Sequence, residues 1–188
     1  MSESQSITTL HLQPDNPCNC TITLDGRTVY EVVTTHEPKT VTTLRNAAGA
    51  VVGSFEWRDI RSDIVTFGED GATLALGDWL KREAWVPFAD GLTFKAKGGG
   101  KSFTWKKTAN GMQLFAKEGS TQPIVQFRRA TRVSNKSTET QESVPGVLLM
   151  NGQASKMMDE VVLSFILLEK GRRAGHEPGQ GGYWGHIL

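Results

Sequence analysis

Apolar and polar positions alternate with a period of two through most of the chain, in short runs divided by turn residues. From Thr21 to Thr35 the alternation is broken once, at Asp25-Gly26, a dipeptide suited to a tight hairpin turn. The same grammar returns at Thr40–Arg45 and Ala50–Trp57, with Asn46-Ala-Ala-Gly49 between them, which predicts a second hairpin. Asp63–Phe67 reads as a short strand, and Gly77–Lys81 as a turn or short helix. Leu92–Lys97, Lys101–Lys106 and Met112–Lys117 read as three more strands, with glycine-containing turns at Gly98-Gly-Gly100 and Asn110-Gly111. Pro123–Val133 continues as one strand. Ser134–Ser143 is a polar run that predicts a flexible loop, and Gly146–Met150 closes the strand series.

The pattern changes at Ser155. Lys156–Lys170 has helical length, with Ser155 as N-cap and Gly171 as stop, and its apolar residues Met157, Met158, Val161, Val162, Leu163, Phe165, Ile166, Leu167 and Leu168 point in every direction around the axis. A helix apolar all round must be buried all round. In a chain of 188 residues a curved sheet wrapped about that helix is the simplest way to bury it, so the expected fold is mainly β, a closed antiparallel barrel around one C-terminal helix. The expected organisation is a flexible N-terminus at 1–19, one domain at 20–173 and a Gly-rich tail at 174–188.

Composition narrows the function classes. No stretch reaches the roughly 18 consecutive apolar residues of a membrane-spanning helix. The polar, acidic start Met1–Ile7 lacks the apolar run of a secretory signal, giving an expected location inside the cell, in the cytoplasm with the membrane surface or nucleus as alternatives. Cys18 and Cys20 are spaced for neither a long-loop disulfide nor a four-ligand zinc site and read as reduced thiols. His11, His36, His176 and His186 stand in no arrangement with a nucleophile or a metal-ligand partner, so no catalytic residue, metal or cofactor is expected. Asp59 and Asp63 as a carboxylate pair are outweighed by their reading as exposed loop acids. Gly98-Gly-Gly-Lys-Ser102 lacks the leading glycine of a phosphate-binding loop, and a strand-like Phe103-Thr-Trp105 follows where a helix is needed.

Net charge is +1, but its distribution is uneven. Ten basic residues lie between Leu92 and Thr138 against the single acid Glu118, after an acidic stretch from Glu56 to Gly91. Side-chain alternation places Lys95 and Lys97 on one face of their strand, opposite Leu92, Phe94 and Ala96, and Arg128 with Arg132 on one face of theirs. With Lys101 and Lys106 these residues form the candidate anion-binding set, and an anionic membrane lipid is the candidate ligand. The alternative is a protein-interaction or structural domain whose charges serve solubility and discourage edge pairing. Base stacking on Phe103, Trp105 and Phe115 is disfavoured, because their strand positions suit wall packing, so nucleic acid is not the expected partner.

Three segments in order, Val51–Trp57, Lys101–Lys106 and Met158–Lys170 with the ending Glu169-Lys-Gly-Arg-Arg173, resemble the tubby C-terminal-like superfamily, which includes the LURP-one-related and phospholipid scramblase proteins. Within it the chain is most similar to a fungal family of unknown function. The resemblance spans roughly residues 20–173 and implies a closed antiparallel barrel of about a dozen strands around a central helix. Tubby proteins bind phosphoinositides through basic residues on the barrel, but no tubby phosphoinositide motif carries over residue by residue. The resemblance therefore implies a noncatalytic binding module, with a lipid-handling or scramblase-like protein as the less favoured alternative.

Overall fold

The computed structural model describes residues 6–58, 62–82, 91–97, 100–108, 111–117, 121–135 and 140–173, with side chains described outside 132–143. The strands are β1 (Thr8–Gln13), β2 (Cys20–Leu24), β3 (Arg27–Thr35), β4 (Val41–Asn46), β5 (Val51–Glu56), β6 (Ile64–Phe67), β7 (Thr73–Ala75), β8 (Lys81–Arg82), β9 (Gly91–Lys95), β10 (Ser102–Thr108), β11 (Gly111–Ala116), β12 (Val125–Arg128), β13 (Thr131–Asn135), β14 (Thr140–Val144) and β15 (Gly146–Met150). The helices are α1 (Leu76–Trp79), α2 (Gly152–Ser155) and α3 (Met158–Arg173). The fold is mainly β, a large antiparallel sheet with a few helices.

Thirteen strands form that sheet in the order β7-β6-β5-β4-β3-β2-β1-β15-β12-β11-β10-β9-β8, and β13 pairs with β14 in a separate two-stranded ribbon. Most neighbours are also consecutive in sequence, as expected where short turns join alternating runs. The β2–β3 turn shows why. Asp25 and Gly26 both adopt positive φ, at 49° and 75°, the geometry that a two-residue hairpin needs and that a following glycine eases. The less local step is β1–β15, which sets the N-terminal strand beside the last one through pairs from Thr8 with Met150 to Leu12 with Gly146.

Alternation then sorts the side chains. Leu10, Leu12, Ile22, Tyr30, Val32, Leu44, Phe55, Val65, Phe94, Phe103, Trp105, Leu114, Phe127 and Leu148 are all buried on the inner face. Against that face lies α3, in which every residue from Val161 to Glu169 is buried. Its partners come from strands far apart in the sheet. Tyr30 of β3 donates to Asp159 Oδ1 at 2.5 Å, and a side chain at Gly53 of β5 would run into Leu163. On the other side of β1, Trp105 Nε1 of β10 donates to Ser164 Oγ at 2.9 Å, and Phe127 of β12 packs on Phe165 with ring centroids 4.6 Å apart. Contacts from both halves of the sheet mean that it bends around the helix. Acids in the first turn of α3 and Lys170, Arg172 and Arg173 in its last turn complement the helix dipole.

The structure departs from the sequence reading in six places. The expected flexible N-terminus contains β1, held between β2 and β15 in the interior of the sheet. The expected strand at Pro123–Val133 breaks between Arg128 and Thr131, and the expected loop at Ser134–Ser143 contributes to the β13–β14 hairpin. Ser155 does not cap α3: it ends α2, where Asn151 is the N-cap and accepts from the amides of Gln153 and Ala154 at 3.0 Å. Nor does Gly171 stop the helix, which runs to Arg173 because Arg172 and Arg173 both fold back onto the Glu169 carboxylate, offsetting the roughly 1 kcal/mol a helical glycine costs. Asp63 is buried rather than an exposed loop acid, with its Oδ1 accepting from the Arg58 amide at 2.8 Å. Asp59 and the tail at 174–188 lie outside the described residues.

Candidate functional site

The outward positions of β9 to β12 carry the predicted basic residues. Register places Lys95 opposite Ser102, Thr104 between Thr93 and Phe115, and Lys106 in a row with Gln113 and Gln126; Arg128 is two residues beyond Gln126. Lys95, Lys106 and Arg128 are exposed. Lys106 lies over the Phe115 ring at 5.2 Å, and Arg128 Nη2 donates to Gln126 Oε1 at 3.3 Å. Among the described outward residues of these four strands none is an acid. The spacing is open: Lys95 and Lys106 are about 13 Å apart along the strand direction, at roughly 3.3 Å per residue.

The other members of the predicted set are less regular. Lys97 and Lys101 flank the β9–β10 turn, both exposed, and Lys97 leaves the Lys95 face to rest over Phe67 with its ammonium 4.6 Å from the ring centroid. Phe67 packs edge-on against Trp79, so Lys97 sits near α1. Arg132 does not share a strand with Arg128: it belongs to β13, outside the main sheet, and its side chain lies outside the described residues. The structure therefore joins Lys95, Lys106 and Arg128 on one face and sets Lys97 and Lys101 at its corner.

A second polar cluster, absent from the sequence reading, occupies one end of the inner face beside the last turn of α3. The Cys18 carbonyl accepts from Thr34 Oγ1 at 2.7 Å, Thr34 Oγ1 and Thr42 Oγ1 are 2.8 Å apart, and Trp57 Nε1 donates to Thr42 Oγ1 at 2.8 Å. The Lys170 ammonium stands 2.9 Å from the centroid of the Trp57 ring. Burial lowers the Lys170 pKa to about 8, opposed by the fields of Cys18 and Asp63. The same burial raises Cys18 and pushes the Cys20 thiol up to about 12, which makes both sluggish nucleophiles. Neither forms a disulfide, as expected from their spacing.

Next to Lys170 the helix end is locked by ions. Glu169 is fully buried and receives Arg172 Nε at 2.6 Å and Arg173 Nε at 2.7 Å, and Arg173 also reaches the Asp15 carbonyl at 2.5 Å and the Asp15 carboxylate. This network ties the segment between β1 and β2 to the end of α3. It is a structural tether, since each charge on it is already paired.

Among the described residues no group of three or more His, Cys, Asp or Glu side chains could hold a metal ion. His11 is half-buried on the outer side of β1 and His36 is exposed, far apart in the register. Lys101 and Ser102 lead into β10, not into a helix, so the glycine-rich turn before them offers no helix N-terminus to a phosphate. No described helix is long and apolar enough to cross a membrane.

The chain has no match among curated proteins. Of solved structures, it is similar to the X-ray structure of a protein from Arabidopsis thaliana, with 13% identity, a TM-score of 0.36, and coverage of 85% of this chain and 90% of that one. Residues 15–174, from the Arg173-bound loop before β2 through α3, match one family model: the chain belongs to the DUF6593 family, a family of unknown function.

Proposed function

We propose that this chain is a noncatalytic binding module in which the sheet closes about α3 as a tubby-like barrel, and that the outer face of β9 to β12 docks on an anionic phospholipid surface. Closure is supported by the seam: the two edge strands β7 and β8 are joined by α1 alone, and Trp79 of α1 reaches Phe55 and Phe67 on one side and Phe94 on the other, at 6.4, 5.1 and 6.0 Å between ring centroids. One aromatic residue thus packs against strands near both edges, β5 and β6 on one side and β9 on the other.

The observation that carries the binding reading is the exposure of Lys95, Lys106 and Arg128 on one face with no described acid among the outward residues of its four strands. Open spacing suits many weak headgroup contacts better than one tight phosphate pocket. Each cation contributes on the order of 1 kcal/mol at an anionic membrane. The test is cosedimentation with liposomes of phosphatidylcholine, with phosphatidylserine or with added phosphoinositide, at two salt concentrations. Wild type is expected to bind the anionic vesicles, and Lys95→Gln/Lys101→Gln/Lys106→Gln/Arg128→Gln to lose on the order of 100-fold or more in partitioning. Binding to anionic vesicles no better than to neutral ones overturns the lipid reading and leaves the basic face to a protein partner.

A further inference from the structure

Lys170 is unusual among the described cations of its helix end. Arg172 and Arg173 are both held by carboxylates, whereas Lys170 forms no ion pair among the described residues and is half-buried with its ammonium on the Trp57 ring. The ring is itself fixed in place, because its Nε1 is spent on Thr42 and Phe55 packs beside it at 6.0 Å. The fields of Cys18 and Asp63 act on the amine and favour its charged form, the smaller effects beside burial. The Trp57 face holds the amine in place while favouring its protonated form; partial loss of water, with no described carboxylate at ion-pair distance, is the condition that turns a lysine into a nucleophile.

We propose that Lys170 Nζ is a covalent acceptor for small aldehydes at the polar end of the sheet's inner face. The amine lone pair attacks the carbonyl carbon, the carbonyl oxygen takes a proton, and the resulting carbinolamine loses water to leave a protonated imine. No oxidant or reductant is needed, and the step reverses by hydrolysis. An aldehyde fits better than an anion, since the Asp63 carboxylate repels negative charge, and the iminium product keeps a cation over the Trp57 face.

A lysine titrating at about 8 has roughly a fifth of its amine neutral at pH 7.4, against about one part in a thousand for an ordinary lysine. Its lower basicity gives back part of that advantage, and a preference of about tenfold remains. The experiment treats the full chain with propanal and cyanoborohydride at pH 7.4, then maps the propylated lysines by mass spectrometry after chymotryptic digestion. Lys170 is expected to be modified at least about tenfold faster than Lys95 and Lys106, with the preference gone at pH 10.5, where ordinary lysines are also neutral. Lys170→Arg keeps the charge on Trp57 and should abolish the fast phase while melting like wild type. Modification of Lys170 at or below the rate of the exposed lysines, or a fast phase that survives in Lys170→Arg, overturns the proposal.

Discussion

If α3 is the centre of the fold, truncating one of its buried rings should weaken the whole domain and not merely its C-terminal end. Phe165 is the sharpest place to ask. Its side chain is fully buried, between Phe127 at 4.6 Å and Trp105 at 6.2 Å between ring centroids. Phe165→Ala removes the ring and leaves a hole that its walls cannot close: Phe127 sits on β12, paired on both sides with β11 and β15, and Trp105 sits on β10, paired on both sides with β9 and β11. Where collapse is blocked, Phe→Ala costs about 3–5 kcal/mol, a figure that already includes the lost ring contacts. About 4 kcal/mol in a chain of this size lowers Tm by roughly 8–16 °C.

The assay is guanidinium unfolding followed by far-UV circular dichroism and tryptophan fluorescence together. A central helix demands coincident transitions, with the midpoint lowered at unchanged slope. Phe115→Ala is the matched control, the same deletion on the outer face beneath Lys106, and should cost no more than about 1 kcal/mol. A loss at Phe165 under about 1 kcal/mol, or a fluorescence change that leaves the main sheet transition in place, would refute a central α3.

Two further perturbations probe the same packing from other sides. Gly53→Ala would set a Cβ 2.8 Å from Leu163 Cδ2 and 3.0 Å from the Thr66 carbonyl oxygen, and since Leu163 is itself buried, about 1–3 kcal/mol of stability should be lost in thermal melts; an unchanged Tm would mean that α3 and β5 can move apart freely. Lys170 has a folded pKa of about 8, below its unfolded value, so the fold disfavours the protonated form: the penalty is fully present below pH 8 and is relieved as pH rises toward 10.5. Lys170→Met should therefore gain most over wild type near pH 6–7 and least near pH 10, and a Tm difference independent of pH would contradict a half-buried ammonium.

Much of the sheet was legible because its connections are local. The β2–β3 and β4–β5 hairpins, β6, the β9–β10–β11 meander and β15 all fall where alternation and turn residues place them, and the inward assignment of Leu92 and Phe94 against Lys95 holds. The failures have physical causes. Thr8–Gln13 alternates like any strand, but its partners are β2 and the distant β15, so only long-range pairing rescues it from the expectation of a frayed end. Arg129-Ala130 carries no turn signal, and β12 ends there because the chain leaves the main sheet to form the separate β13–β14 ribbon before β15 returns to pair with β12. Gly171 is a poor helix residue overruled by the Glu169 ion pairs, a tertiary effect beyond the reach of propensity.

The inner cluster was hidden for a different reason. Each of its members is ordinary alone: two threonines in β-branched runs, a tryptophan ending a strand, a lysine ending an apolar helix. What the sequence does hold is a change of character at equivalent places. In β3 the inward series runs Tyr30, Val32, Thr34; in β4 it runs Leu44, Thr42 in the opposite chain direction; in β5 it runs Gly53, Phe55 and on to Trp57. Because neighbouring strands are antiparallel, these apolar-to-polar transitions fall at the same end of the sheet, and pairing Thr34 directly with Thr42 brings the hydroxyls together. A core that turns polar on three adjacent strands at one end must have those groups satisfied by one another or by something that enters there, and the chain of Cys18, Thr34, Thr42 and Trp57 satisfies all but the amine of Lys170.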